Sequence, residues 1–129
     1  MPARDYVVIG GAVLELLGIR NTNDVDLVVS GSAYHRLRAK KWKEYVQDDG
    51  KTIIVHPGYR IMQRWMGQSL PDLQKSAQTV DGIPLIGLDD LVNCKILLGR
   101  KKDLEDVIRI KAYESSPNRP KGWLAAAPA

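Results

Sequence analysis

The 129-residue chain holds a single cysteine, Cys94, which rules out an internal disulfide and any zinc site built from several cysteines. Cys94 falls in an apolar helical pattern and reads as buried core rather than as a nucleophile. No apolar segment approaches the roughly 20 residues that span a bilayer. The opening MPARDYVVIGG has a short apolar run ended by a glycine pair, which is not a signal-peptide layout. No internal repeat and no second domain are visible. These absences leave a cytoplasmic protein with no membrane partner as the expectation. Acid is also missing from one long interval, since no Asp or Glu stands between Asp49 and Asp72.

What is present is an ordinary globular composition, 44% hydrophobic and 26% charged, on a chain long enough for one core without staples. The net charge of +4 permits an anionic partner without naming one. Much of the excess lies in Arg36, Arg38, Lys40, Lys41 and Lys43. That run is either the solvated face of a helix or a nucleic-acid contact whose affinity would fall steeply with salt. Few aromatics accompany it, which weighs against stacking on single strands.

The stretch Tyr6–Val29, YVVIGGAVLELLGIRNTNDVDLVV, organises the chain. Tyr6 to Ile9 reads as a buried strand closed by Gly10-Gly11, and Ala12 to Leu17 as a short helix ended by Gly18. A polar loop follows, and Val25 to Val29 is a second strand. Downstream, Ser32 can cap a helix running to about Lys41, with Leu37 inward. Strands are expected over Trp42 to Gln47, Lys51 to His56, Tyr59 to Trp65 and Ile83 to Ile86. The second and third of these form a hairpin about Pro57-Gly58. Helices are expected over Ser69 to Thr79 and from Asp89 to about Gly99, the latter using Leu91, Val92, Ile96, Leu97 and Leu98. A last helix runs from about Lys102 to Tyr113, using Leu104, Val107, Ile108 and Ile110. One domain therefore covers residues 1–114. Residues 115–129, rich in Ser, Pro, Asn, Gly and Ala, read as a loose tail with Trp123 as its anchor candidate.

A glycine pair after a strand lets the backbone approach a ligand, and the helix behind it points free N–H groups at the same place, which suits phosphate. Asp24 and Asp26 stand at alternate positions, so on a strand they share a face roughly 7 Å apart at Cα. Such a pair can hold Mg²⁺ that also binds nucleotide phosphates. The blander assignment makes Asp24 a loop cap and Asp26 a surface ion pair. Lys95, set among apolar helical positions, needs an anionic partner, either a ligand phosphate or Asp103 and Asp106 nearby.

These residues carry a resemblance. The run GG-AVLELLG-IRNTNDVDLVV resembles the signature of the DNA polymerase β-like nucleotidyltransferase superfamily. The form R-x-T-x-D-x-D, here Arg20, Thr22, Asp24 and Asp26, is similar to CCA-adding enzymes and small bacterial nucleotidyltransferases. The segment LDDLVNCKILLGRKKDLEDVIRI is similar to the K…GR-x-KD-x-x-D part of small bacterial nucleotidyltransferases, including AbiEii-type toxins. Together the two matches cover about a third of the chain. The resemblance implies an α/β nucleotidyltransferase fold, a small mixed sheet with helices mainly on one side. It implies that Gly10 and Gly11 contact the phosphates of an NTP, that Asp24 and Asp26 bind Mg²⁺, and that Lys95 reaches the triphosphate. Asp103 would match the family's further acidic residue, with Asp106 next. Arg20 and Thr22 would position the loop and the nucleotide.

The implied activity is Mg²⁺-dependent transfer of an NMP from an NTP to an acceptor hydroxyl, on a small molecule, an RNA or a protein. The chain departs from the family at one point. Active members carry a third carboxylate on a neighbouring strand, and where R-I-D is expected the sequence has Arg60-Ile61-Met62. His56 is a substitute base or merely a turn residue. The alternative is a catalytically degenerate binding module, antitoxin-like or regulatory. A homodimer or a partner protein remains open in either case.

Overall fold

The structure, a computed structural model, describes residues 1–116. A 3-10 turn over Ala3–Asp5 leads into β1 (Tyr6–Ile9), α1 (Gly11–Leu16) and β2 (Val25–Val29). Next come α2 (Gly31–Ala39), β3 (Glu44–Val46), β4 (Thr52–His56) and β5 (Tyr59–Met62). Short strands β6 (Arg64–Trp65) and β7 (Gln68–Ser69) precede α3 (Leu70–Gln74), β8 (Gln78–Val80) and β9 (Ile83–Leu85). Helices α4 (Leu88–Leu98) and α5 (Lys101–Glu114) close the described part. Seven strands make one mixed sheet in the order β3-β4-β5-β2-β1-β9-β8. The α/β architecture expected from the sequence is present, and no described helix is long and apolar enough to cross a membrane. The reading of a loose tail anchored by Trp123 lies, for 117–129, outside the described residues.

The sheet is centred on the organising stretch. β1 lies antiparallel to β2 and parallel to β9, while β2 lies parallel to β5. Val7, Val8 and Ile9 are buried in succession, as are Leu27, Val28 and Val29, so both faces of these two strands are covered. The start of β2, Val25 and Asp26, emerges half-buried from that covered centre.

Several elements differ from the sequence reading, each for a local reason. The helix expected over Ser69 to Thr79 stops at Gln74, and Gln78–Val80 is instead a strand paired with β9. Asp81 and Gly82 both take positive φ, 50° and 78°, the geometry of a two-residue hairpin turn that draws the preceding residues into the sheet. The strand expected through Trp65 breaks at Gln63, because Met66-Gly67 forms a second such turn and pairs β6 with β7. Helix α2 is capped by Ser30 rather than Ser32: the Ser30 hydroxyl accepts the Ala33 N–H at 3.1 Å.

The last two helices match their apolar pattern only in part, at Leu91, Val92 and Ile110. Helix α4 buries Leu88, Leu91, Val92, Cys94 and Lys95, and α5 buries Asp103, Asp106 and Ile110. Ile96, Leu97, Leu98, Leu104 and Ile108 are exposed instead, Leu97 at 76% and Ile108 at 69%. The contact between α4 and α5 is ionic, and it sets the rotation of both helices. Cys94 is buried as expected, and burial pushes its thiol pKa up, with Asp90 adding to the effect.

Gly87, ahead of α4, is a packing constraint: a Cβ there would lie 2.7 Å from the Ser76 carbonyl oxygen. Gly87→Ala is expected to lower stability by about 1–3 kcal/mol through forced displacement of backbone, measured by urea unfolding.

Candidate functional site

The register of the sheet fixes what surrounds Asp26. Ile9 on β1 lies opposite it on one side and Arg60 on β5 on the other. The Arg60 guanidinium donates from Nε to Asp26 Oδ1 at 2.9 Å and from Nη2 to Oδ2 at 3.1 Å, a bidentate pair. The hydrogen bond to Asp26 raises the Arg60 pKa against burial, helped by the charges of Asp26 and Asp24. Gly10 closes the other side, with φ 68° and ψ −150°, a conformation that side-chain-bearing residues avoid. A Cβ on Gly10 would stand 3.0 Å from Asp26 Oδ2. The glycine turn is therefore shaped around the carboxylate. Asp24 lies in the exposed loop just before β2, where its charge reaches Arg60.

Beyond Asp26 a cleft of about 1120 Å³ opens, lined among others by Arg60, Met62, Arg64, Trp65, Lys51 and Gln74. Helix α1 behind the glycine turn has only six residues, so its dipole is a modest attraction for an anion. The contribution of Gly10 is chiefly the space left beside Asp26.

The loop that carries Asp24 is tied down from afar. Arg20 donates from Nε and Nη2 to the two Asp106 oxygens, both at 2.8 Å, and from Nη1 to the Asn21 carbonyl at 3.0 Å. A Cβ on Gly11 would meet Arg20 Nη2 and Thr22 Oγ1, each at 3.1 Å, so the second glycine makes room for this arginine. The Thr22 hydroxyl donates to the Asp24 carbonyl at 3.3 Å. Asp106 also receives Lys95 Nζ at 2.9 Å and Arg109 Nη1 at 3.0 Å. Lys95 lies 3.7 Å from Asp103, which Arg100 chelates at 2.6 and 3.2 Å. The side chains of Lys95 and Asp106 are 7% and 3% exposed. Burial pushes Asp106 upward, but hydrogen bonds from Arg20 and Lys95 and their charges outweigh it, holding the carboxyl well below the usual range. Asp103 is lowered in the same way, burial being overcome chiefly by Arg100.

The residues singled out in the sequence thus fall into two groups. Asp26 lines the cleft with Gly10 packed beside it, Asp24 stands two residues earlier in the loop, and Gly11 makes room for Arg20 and Thr22, which brace that loop. Lys95 and Asp103 belong to the ionic cluster between α4 and α5, where the lysine bridges the two aspartates. His56 does not join the site. It pairs with Tyr59, which pairs with Val25, so these three share the sheet face opposite to that of Asp26. Its ring stacks on Trp42 at 3.8 Å between centroids. Met62, at the place of the expected third carboxylate, pairs with Val28, and the residue directly across from Asp26 is Arg60. The sequence reading gave Arg60 no role. Its signal was a charged residue in phase with Asp26, legible only once the register of β2 and β5 is known. On the basic face, Arg36 pairs with Asp5 and Arg38 with Glu44, leaving Lys40, Lys41 and Lys43 as its remaining cations.

Mg²⁺ keeps several waters and takes one or two protein carboxylates together with ligand phosphates. Asp24 and Asp26 fit that requirement for one ion, with Arg60 as an occupant of Asp26 that an ion must displace. Among the described residues no three His, Cys, Asp or Glu side chains gather to form a metal cage.

No protein-family model matches the chain. No curated protein matches it either. Among solved structures, the chain is similar to the crystal structure of a candidate nucleotidyltransferase from Thermotoga maritima, with a TM-score of 0.54. The likeness covers 84% of this chain and 82% of that one at 17% sequence identity. The fold is a nucleotidyltransferase fold.

Asp106→Asn leaves Lys95 buried beside a neutral group and removes the charge that holds Arg20. A loss of about 3 kcal/mol at neutral pH is expected in denaturant unfolding. Because the folded Asp106 pKa is depressed, its contribution is fully present above the unfolded-state value of about 4 and is lost as pH falls below it. The stability gap between wild type and Asp106→Asn therefore narrows as unfolding is repeated at pH values below about 4.

Proposed function

We propose that this nucleotidyltransferase-fold chain binds an NTP at the edge formed by Gly10, Asp24 and Asp26, and transfers its NMP to an acceptor hydroxyl held in the adjoining cleft. One observation carries the reading: the backbone of Gly10 is bent, at a positive φ, so as to leave space beside the Asp26 carboxylate at the mouth of the cleft. The likeness of the R-x-T-x-D-x-D and K…GR-x-KD-x-x-D runs to small bacterial nucleotidyltransferases of the AbiEii type supports it.

In this scheme the acceptor oxygen forms a bond to the α-phosphorus, the bond from that phosphorus to the bridging oxygen of pyrophosphate breaks, and the hydroxyl proton passes to water. Mg²⁺, held by Asp24 and Asp26, supplies neutralisation of the triphosphate. Arg20 and Thr22 keep the Asp24 loop in place through Asp106 and the Asp24 carbonyl. Lys95 and Asp103 act in that support and do not touch the nucleotide.

A second reading is favoured by a specific contact. The position expected to carry the third carboxylate is Met62, and Asp26 itself is paired with Arg60. Without that base, positioning and electrostatics alone give slow transfer, or the chain binds nucleotide as a regulatory module.

Titration with a non-hydrolysable NTP analogue in Mg²⁺ tests the binding claim. Asp24→Asn combined with Asp26→Asn is expected to weaken binding at least tenfold, and unchanged affinity would refute the site. Transfer of label from an α-labelled NTP to any acceptor decides between the two readings.

A further inference from the structure

The bidentate contact between Arg60 and Asp26 has a chemical consequence for the order in which ligands enter the site. Both carboxylate oxygens of Asp26 are engaged by one guanidinium, at 2.9 and 3.1 Å. On the other side of the same carboxylate only a glycine fits, since a Cβ on Gly10 would lie 3.0 Å from Asp26 Oδ2. The Asp26 side chain is 17% exposed, whereas that of Arg60 is 56% exposed. The guanidinium is therefore the more movable partner. Arg60 is anchored by strand pairing with Asp26 and Val55 at its backbone, while its head group sits at the cleft and near Arg100.

We infer that Arg60 is the resident counterion of Asp26, competing with a divalent cation for that carboxylate and released when an anionic ligand in the cleft takes its N–H donors. The inference rests on the proposed role of Asp24 and Asp26 as metal-binding carboxylates. A free divalent ion must break two charge-assisted hydrogen bonds and approach a positive group. A metal–triphosphate complex meets no such barrier, because its phosphate oxygens accept from the guanidinium in the bidentate manner that suits arginine. The site thereby discriminates against the bare ion and in favour of the ion delivered with nucleotide.

The test is binding of Mn²⁺ alone, followed through the electron paramagnetic resonance signal of the free ion, in wild type, Arg60→Gln, Arg60→Lys and Asp26→Asn. Arg60→Gln is expected to bind Mn²⁺ about three- to tenfold more tightly than wild type, from loss of the pair and of the nearby charge. Arg60→Lys keeps the charge and loses the fork, so it should fall between the two. Asp26→Asn should abolish the tight site. A non-hydrolysable NTP analogue in Mg²⁺ should show the reverse order, binding Arg60→Gln several-fold more weakly than wild type.

Equal Mn²⁺ affinity in wild type and Arg60→Gln, with binding still lost in Asp26→Asn, would overturn the competition while leaving the metal site intact. Arg60→Lys indistinguishable from wild type would assign the effect to charge alone and overturn the occupied carboxylate. No Mn²⁺ binding in any variant would overturn the metal-site reading and this inference with it. Circular dichroism melts of each variant establish that the compared proteins are folded.

Discussion

Burying a carboxylate is costly unless its charge is matched, and the C-terminal half of this fold is arranged around meeting that condition at Asp106. Arg20, Lys95 and Arg109 converge on it from a loop, from α4 and from α5 itself. Asp103, one turn earlier, repeats the pattern with Arg100 and Lys95. Because the two aspartates must face α4, Leu104 and Ile108 on the same helix are turned to solvent. The ordinary preference for burying aliphatic side chains yields here to charge pairing, since an unpaired buried charge costs more than one exposed leucine. The same carboxylate holds Arg20, and through it the loop leading to Asp24 and Asp26. The structural core of one half and the candidate site of the other are thus one continuous piece.

Asp26 poses a smaller version of the same problem and solves it differently. It is partly exposed, its counterion comes from the neighbouring strand, and that counterion can leave. The contrast between the two aspartates is instructive. Asp106 is surrounded by three donors and cut off from solvent, which suits a permanent fixture. Asp26 has one partner at the rim of a large cleft, which suits a group that changes partners.

The parts of this arrangement visible in the sequence are those encoded by neighbours in the chain. The strand, the glycine pair, the short helix, the loop and the second strand of Tyr6–Val29 follow from local pattern, and the structure places them at the centre of the sheet. The α/β class follows from the alternation of elements. What sequence could not show depends on pairing across distance. Arg60 opposes Asp26 only because β5 runs parallel to β2 in one register, and a shift of a single residue would place Tyr59 or Ile61 there. The same register puts His56 on the far face. Leu91, Val92 and Ile110 are inward as read, but Ile96, Leu97, Leu98, Leu104 and Ile108 were misread because hydrophobic periodicity assumes apolar contact where ionic pairs between α4 and α5 take up part of the inward surface. Gln78 and Thr79 were taken for the end of a helix because their strand character comes from the turn that follows and from pairing with β9.

The bond between Arg20 and Asp106 spans 86 positions of sequence. A ribosome adding roughly 5–20 residues per second makes Arg20 about 4–17 seconds before Asp106 exists to receive it. During that interval β1, α1 and β2 are already available, and the loop between them has only local bonds, such as Thr22 to the Asp24 carbonyl. Closing so long a loop carries an entropic cost that only the finished packing of α4 and α5 offsets. The long-range tie on the Asp24 loop therefore forms only after α5 has been made, although Arg20 is among the first residues to appear.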